Sequence, residues 1–479
     1  MATPIRTLHD RTIELDDAAL AGLRSQLRGR LLAPGDDGYD TARTLWNGMI
    51  DKRPALIVQP SGAADVADAV GFARDHELSL AVRGGGHNIA GTAVTDGGLM
   101  IDLSALKGVR VDPAARTVEV QPGCVWAEVD RETQAFGLAV PNGLVSDTGV
   151  AGLTLGGGFG WTTRRFGYTS DNLLGADIVT ADGTLVRASA EENPDLFWAI
   201  RGGGGNFGVV TSFTFRAQPV GPEVLGGMML FSMARAREVI AAFRRLTERA
   251  PDELASLLVL RRAPPAPALP EAIHGAPVAI VAVCWTGAVE DGERHLEPLR
   301  ELGEPLADLV GPKPFTAVQS MLDASSPRGR QYYWKSDYVD ALTEPAAATM
   351  IANAEVMTSP QSAVLFMHLG GAANRLAEDH SATGPRDVGY VLNIQGAWLD
   401  PNEHDTHVRW VRDYWRAMRP FAKGRAYMNF FTADEGAERL REAYVPTTYR
   451  RLAEIKARWD PQNLFRLNPN IAPAAAVTA

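Results

Sequence analysis

The sequence predicts an α+β protein of two domains, and three observations carry that reading. The chain has 479 residues, more than one ordinary hydrophobic core accommodates and comfortable for two. Its first half holds short β-rich runs punctuated by three glycine clusters, near residues 84, 156 and 203. After Pro219 the character changes: from about residue 222 to 435 the clusters largely disappear, and β-rich segments alternate with amphipathic helices. The expected first domain covers residues 1–220 and the second 221–435.

The elements follow in order. Pro54-Ala-Leu-Ile-Val-Gln-Pro60 is short and β-rich, and Ala63 to His76 sets Val66, Val70 and Phe72 among small and polar residues, as a helix on a sheet requires. Leu78-Ser-Leu-Ala-Val82 is the next strand and runs straight into the first glycine cluster. Strands follow at 98–102, 109–111 and 117–120, separated by turn residues. The second cluster, 149–160, is followed by strands at 175–180 and 184–187 around the turn Ala181-Asp-Gly183. The third cluster feeds the strand Val209 to Phe215. In the second half, Ala234 to Arg249 reads as an amphipathic helix and the Pro/Ala-rich stretch 263–270 as an exposed connection. Tyr449 to Trp459 is a last helix, with Leu452, Ile455 and Trp459 on one face and a stop at Asp460-Pro461. An alanine-rich tail after Ile471 is expected to be disordered.

Composition narrows the function classes. A hydrophobic fraction of 46% with 22% charged residues is the balance of a soluble globular protein. A formal net charge of −10 gives no electrostatic reason to expect nucleic acid or an anionic membrane as partner. Two cysteines, Cys124 and Cys284, cannot build a disulfide framework or a thiolate metal site; both lie in apolar strand-like segments and read as small buried hydrophobes. No apolar stretch of signal-peptide length opens the chain, and the longest apolar run, Ala276 to Trp285, is about half of a bilayer span. A cytoplasmic location, as monomer or homodimer, is the expectation.

Glycines in Arg83-Gly-Gly-Gly-His87 let the backbone approach a ligand closely, and consecutive N–H groups can form an anion-binding nest. His87 closes that loop and would sit beside whatever it binds. Gly203, Gly205 and Gly208 spell a G-x-G-x-x-G, but they open a β-branched strand rather than a helix, which disfavours a nicotinamide fold. No Gly-Lys-Ser/Thr closes any cluster, so there is no P-loop. Three clusters within one domain together suggest an extended dinucleotide threaded through loops.

At this point the residues match a family. The chain resembles the berberine bridge enzyme-like FAD-linked oxidases of the vanillyl-alcohol oxidase superfamily. The likeness is carried by Val82-Arg-Gly-Gly-Gly-His-Asn88, Ser146-Asp-Thr-Gly-Val-Ala-Gly152 with the glycines that follow it, Tyr168-Thr-Ser-Asp-Asn172, Asp195-Leu-Phe-Trp198 through Gly208-Val209, and Tyr449 through Asn468-Pro-Asn-Ile471. The resemblance implies a two-lobed PCMH-type FAD-binding domain to which residues 436–479 return. Between its parts it implies a substrate domain with an antiparallel sheet flanked by helices. It also implies FAD bonded covalently through His87, with a cofactor site drawn from Arg83, Gly84, Gly85, Gly86, His87, Asn88, Ser146, Asp147, Thr148, Gly149, Gly152, Gly156, Gly157, Gly208, Val209, Val210, Asn468 and Asn470. In that set the backbones of 84–87 and 147–152 hold the pyrophosphate, Val209 and Val210 border the adenine, and Asn468 and Asn470 approach the pyrimidine edge.

Two departures from the family pattern matter. Many members carry a second flavin bond from a cysteine before the second glycine cluster; here Pro141-Asn-Gly-Leu-Val-Ser-Asp-Thr-Gly149 has none, so attachment through His87 alone is expected, without a bond to Cys124. Several bacterial relatives have Tyr-x-Asn-Tyr, whose second tyrosine takes the substrate proton; this chain has Tyr427-Met-Asn-Phe430, and Phe430 cannot do acid–base work. The catalytic candidates that remain are Tyr427, Gln395, Asn429 and His368. Gln395 matches the family strand position that faces the flavin and would orient substrate. Tyr427 would act as base if Lys335 lowered its pKa, with Tyr332, Tyr333 and Trp334 lining an aromatic pocket. No metal-ligand spacing appears. The expected activity is an FAD oxidase that takes a hydride from a C–H next to oxygen or nitrogen of a small molecule, with O2 as acceptor. The loss of the second tyrosine favours an amine or an already acidic substrate. The alternatives are a flavin dehydrogenase using another acceptor and a catalytically degenerate flavin- or ligand-binding protein.

Overall fold

The computed structural model describes residues 3–475; the last residues of the alanine-rich tail, 476–479, lie outside the described residues. It is a two-lobed α+β architecture built on three principal sheets.

The N-terminal lobe holds two of them. In the four-stranded sheet, Arg30–Leu32, Leu56–Gln59, Leu99–Asp102 and Leu80–Arg83 lie in that order, the last three parallel. Parallel neighbours need a crossover, and the helix Ala63–Asp75 supplies it, burying Val66, Ala69, Val70 and Ala73 against the sheet. The five-stranded sheet is antiparallel, ordered Leu185–Ser189, Leu173–Val179, Val209–Arg216, Thr117–Val120 and Val109–Asp112. The third glycine cluster does open a strand, Val209–Arg216, rather than a helix. The second cluster, read from sequence only as a glycine-rich stretch, contains the short helix Val150–Leu155, because Val150, Ala151, Thr154 and Leu155 between the glycines bury one face.

The second lobe is one antiparallel eight-stranded sheet. Gln331–Val339, Tyr390–Trp398, Ala363–His368, Leu254–Arg262, Pro277–Trp285 and Glu223–Ser232 run in spatial order, with the short strands Ala307–Asp308 and Gly311–Pro314 against Glu223–Ser232. Alternation assigns the two faces. Leu258, Leu260, Val364, Phe366, Leu392 and Ile394 pack under the helices Ala236–Glu248, Glu344–Glu355 and His404–Met418. Their neighbours Leu257, Val259, Arg261, Ala363, Leu365, Met367, Val391, Asn393 and Gln395 point the other way, toward the N-terminal lobe. The helix Pro446–Trp459 lies back on the N-terminal lobe, with Leu452 and Ile455 in the same core as Phe207, Val210 and Phe213.

One buried histidine belongs to this scaffold rather than to the site. His368 ends the strand Ala363–His368, with Nε2 3.0 Å from an Arg164 guanidinium nitrogen and its ring beside Tyr390. Burial, and then the Arg164 charge, pull its pKa down to about 2. The native protein therefore holds it neutral, while the unfolded chain takes up a proton below pH 6.5, so stability present above that pH is lost as pH falls. His368→Gln, which keeps an acceptor for Arg164, is expected to shrink the loss of unfolding free energy between pH 7.5 and 5 by about 2 kcal/mol. Urea titrations at the two pH values measure it; an unchanged difference would count against this account.

Candidate active site

A cavity lies between the lobes, lined on one side by the glycine loops and on the other by the inward face of the eight-stranded sheet. Gly84, Gly85, Gly86, His87 and Asn88 border it, as do Thr148, Gly149, Gly152, Gly208, Val209, Val210 and Asn468. Gly204 and Gly205 of the third cluster join them. The two principal loops meet at glycine: a Cβ on Gly85 would fall 2.4 Å from Gly149 Cα, so neither position admits a side chain without moving backbone.

His87 is held from several sides. Its ring stacks on Trp46 (4.2 Å between centroids, 21° between planes), and Trp46 stacks on Tyr332 at 3.7 Å. The Trp46 N–H donates to Gly86 O, and Asn47 Nδ2 donates to both Ile89 O and Tyr332 O at 3.0 Å, so this clip ties the histidine loop to the edge strand of the other lobe. His87 Nε2 lies 3.3 Å from Asp147 Oδ1 without hydrogen-bond alignment and is buried with no partner. Burial would raise the Asp147 carboxyl; His87 and Arg328 outweigh it and hold the group below the usual carboxylate range.

At the sheet end, Tyr427, Met428, Asn429 and Phe430 form a 3-10 turn against the cavity, facing Phe159, Gln395, Asn393, Trp334 and Tyr332. The Tyr427 oxygen accepts hydrogen bonds from Gly158 N–H (3.0 Å) and Asn429 Nδ2 (2.8 Å). Burial pushes its phenol above the ordinary value near 10 despite those two bonds, and among the described residues no cation acts to lower it.

Several sequence-derived placements need correction. Lys335 does not serve Tyr427: its ammonium is spent on Glu435 (2.7 Å), Asp434 (3.1 Å) and Thr432 (3.3 Å). Tyr333 faces the opposite side of its strand and donates to Asp434, leaving Tyr332 and Trp334 as the aromatic lining. His368 lies outside the cavity, on Arg164. Arg83 points away to Asp102 and Ala42 O, and Ser146 bonds Asp323. Gly156 and Gly157 sit behind the wall against Asn429 and Thr383, and Asn470 does not line the cavity. The Asp147 carboxylate reaches the first glycine loop through His87 and through Arg328, which donates to Gly85 O. Cys124, by contrast, is buried as its apolar segment predicts, against Gly108 O, its thiol pushed up to about 11 by burial.

Other residues escaped sequence reasoning. Trp46 carries no local signal, since its partners lie 41 and 286 positions away. Asn393 and Arg261 did leave one: each is a polar residue two positions from a cavity-lining neighbour on its own strand, Gln395 and Val259.

The residues fit a flavin dinucleotide. Among the described residues, the N–H groups of Gly85, Gly86 and His87 donate to no protein acceptor, which leaves a nest for an anion beside the glycine contact. Leu80, Val82, Leu103, Val209 and Val210 make an apolar end suited to a purine. A family model described as an FAD binding domain matches residues 54–189, and one described as berberine and berberine like matches residues 426–472. Fold, cavity and loops thus define an FAD-binding enzyme. An FAD-linked oxidoreductase of Dictyostelium discoideum is 31% identical over 452 residues, covering 93% of this chain and 95% of its own. The chain belongs to the berberine bridge enzyme-like FAD-linked oxidoreductases. The (R)-6-hydroxynicotine oxidase of Paenarthrobacter nicotinovorans is 29% identical over 456 residues, 93% of this chain and 97% of its own. The crystal structure of 6-hydroxy-D-nicotine oxidase from Arthrobacter nicotinovorans superposes with a TM-score of 0.81 at 28% identity, covering 93% and 98% of the two chains. Among the described residues no helix is long and apolar enough to cross a membrane.

Proposed function

We propose that this protein is an FAD-dependent oxidase, with the cofactor attached through His87 alone, that takes a hydride from a C–H beside nitrogen or an acidic oxygen of a small molecule. The observation that carries the reading is the position of His87, which stands between the glycine loops and the substrate-facing sheet with one ring nitrogen buried and unpartnered. Bound there, FAD would accept the hydride and pass its electrons to O2. Trp46 and Tyr332 fix the plane of the His87 ring, and Asp147 with Arg328 flanks the nitrogen that Trp46 leaves open.

The lining contains no carboxylate, and the one phenol at the turn, Tyr427, stays protonated at neutral pH. Tyr427 and Asn429 are therefore positioning residues, which brace Gly158 and Leu153 O behind the cavity. Gln395 orients the substrate. With no base in place, the substrate must lose its hydride without prior deprotonation by the protein, which an amine lone pair or an already ionised hydroxyl permits. The relative named as an oxidase of 6-hydroxynicotine supports this class.

Anaerobic mixing with a panel of amines, phenols and simple alcohols tests the reading. Bleaching of the yellow colour by an amine or an acidic hydroxyl compound, then rapid recovery in air with peroxide formed, is the expected result. Bleaching with slow recovery in air would indicate a dehydrogenase, and no bleaching at all a ligand carrier. Tyr427→Phe is expected to lower kcat less than about tenfold and leave its pH profile between 6 and 9 unchanged, because a raised pKa keeps the phenol protonated across that window. A loss of a hundredfold or more, with one limb of the profile gone, would make Tyr427 the base after all.

A further inference from the structure

The inward face of the eight-stranded sheet carries a buried cation that the oxidase reading does not use. Register places Arg261, Ala363, Gln395 and Trp334 on one line across four strands. All four line the cavity, and the small Ala363 leaves a gap between Arg261 and Gln395, whose Cα atoms stand about 10 Å apart. Arg261 is 9% exposed. Its Nε donates to Arg262 O, and no carboxylate of the described residues pairs with its guanidinium. Burial, and then repulsion from Arg330, draw its pKa down to about 10, still charged at neutral pH. Two residues along the strand from Gln395, Asn393 has neither amide atom hydrogen-bonded, and Trp334 Nε1 is likewise buried and unpartnered.

A buried arginine without a counter-charge destabilises the fold unless an anion joins it. Its planar fork matches a carboxylate in a way that a neutral group cannot reproduce. The cavity contributes no acid of its own, and the pyrophosphate of a bound cofactor would sit at the glycine loops rather than at the sheet, so the counter-charge at Arg261 must arrive with a second ligand. We infer that the substrate carries a carboxylate, seated on Arg261 in the gap over Ala363, with its polar remainder taken up by Asn393, Gln395 and the Trp334 indole N–H. The aromatic walls, Tyr332, Trp334 and Phe430, suit an aromatic or unsaturated acid. This deepens the reading of the same site as an oxidase and rests on it only for the reaction, not for the binding.

Calorimetric titration of the protein as isolated with acetate, benzoate and 3-phenylpropionate, each paired with its uncharged amide, tests the inference without turnover. At least one acid is expected to bind roughly tenfold or more tighter than its amide. Arg261→Met should erase that preference while leaving the melting temperature equal or higher, since it removes an uncompensated buried charge. Arg261→Lys should retain part of it. The inference is overturned if no acid outbinds its amide, or if Arg261→Met binds the acids as wild type does. Acid preference without any bleaching would sink the oxidase reading and spare this one, whereas bleaching by neutral amines with no acid preference would do the reverse.

Discussion

Gly85→Ala is expected to abolish stable FAD retention. The added methyl would lie 2.4 Å from Gly149 Cα and 3.0 Å from Gly149 N, backbone atoms that no rotamer change can move aside. The loop carrying His87 and the loop running into the helix Val150–Leu155 must then separate, which costs about 1–3 kcal/mol as overpacking and opens the nest between them. Flavin absorbance per protein is expected to fall below about a tenth of wild type, with the melting temperature reduced as well. Gly152→Ala is the matched control, since its Cβ meets nothing within 4 Å and helical alanine is favoured over glycine. It should leave the apoprotein at least as stable as wild type. Equal FAD retention in Gly85→Ala and wild type would show that the two loops do not jointly form the cofactor site.

The second large effect lies where the C-terminal segment closes on the N-terminal lobe. Lys456 and Asp460 are both fully buried, 2.5 Å apart. Lys456 Nζ also donates to Asn206 O at 2.6 Å, and Asp460 accepts from the N–H groups of Leu464 and Phe465. Asn206 reaches onward to Pro469 O and the Ile471 N–H, so one network fixes the third glycine cluster to the turn that presents Asn468 to the cavity. Lys456→Met leaves a buried carboxylate without its cation and is expected to cost about 3–5 kcal/mol of unfolding free energy. Adding Asp460→Asn removes the stranded charge while keeping an acceptor for the Leu464 N–H, and should recover part of that loss. A single variant as stable as wild type in denaturant titration would contradict the network's role.

Much of this was legible in the sequence because it rests on short-range rules. Glycine is demanded wherever backbone meets backbone or ligand, so the cofactor loops announced themselves. The strand following Gly208 was readable from its β-branched alternation, and the strand that carries Gln395 from the same period of two, while the role of Gln395 came from the likeness of that strand to the family's. What stayed hidden depends on partners distant in sequence. Nothing near Lys335 reveals that Asp434 and Glu435 neutralise it, and nothing near His368 reveals Arg164, 204 positions earlier. Both side chains had the right chemistry for a site and were drawn into structural pairs by the fold. Trp46 is the converse case: an unremarked aromatic becomes the plate on which His87 lies.

The central claim is the attachment of FAD through His87, and acid precipitation of the purified protein tests it most directly. The account predicts that the yellow colour stays in the pellet. Proteolysis should then yield one flavin-bearing peptide, containing His87 and not Cys124. Colour released entirely to the supernatant, or a flavin-bearing peptide that lacks His87, would contradict it.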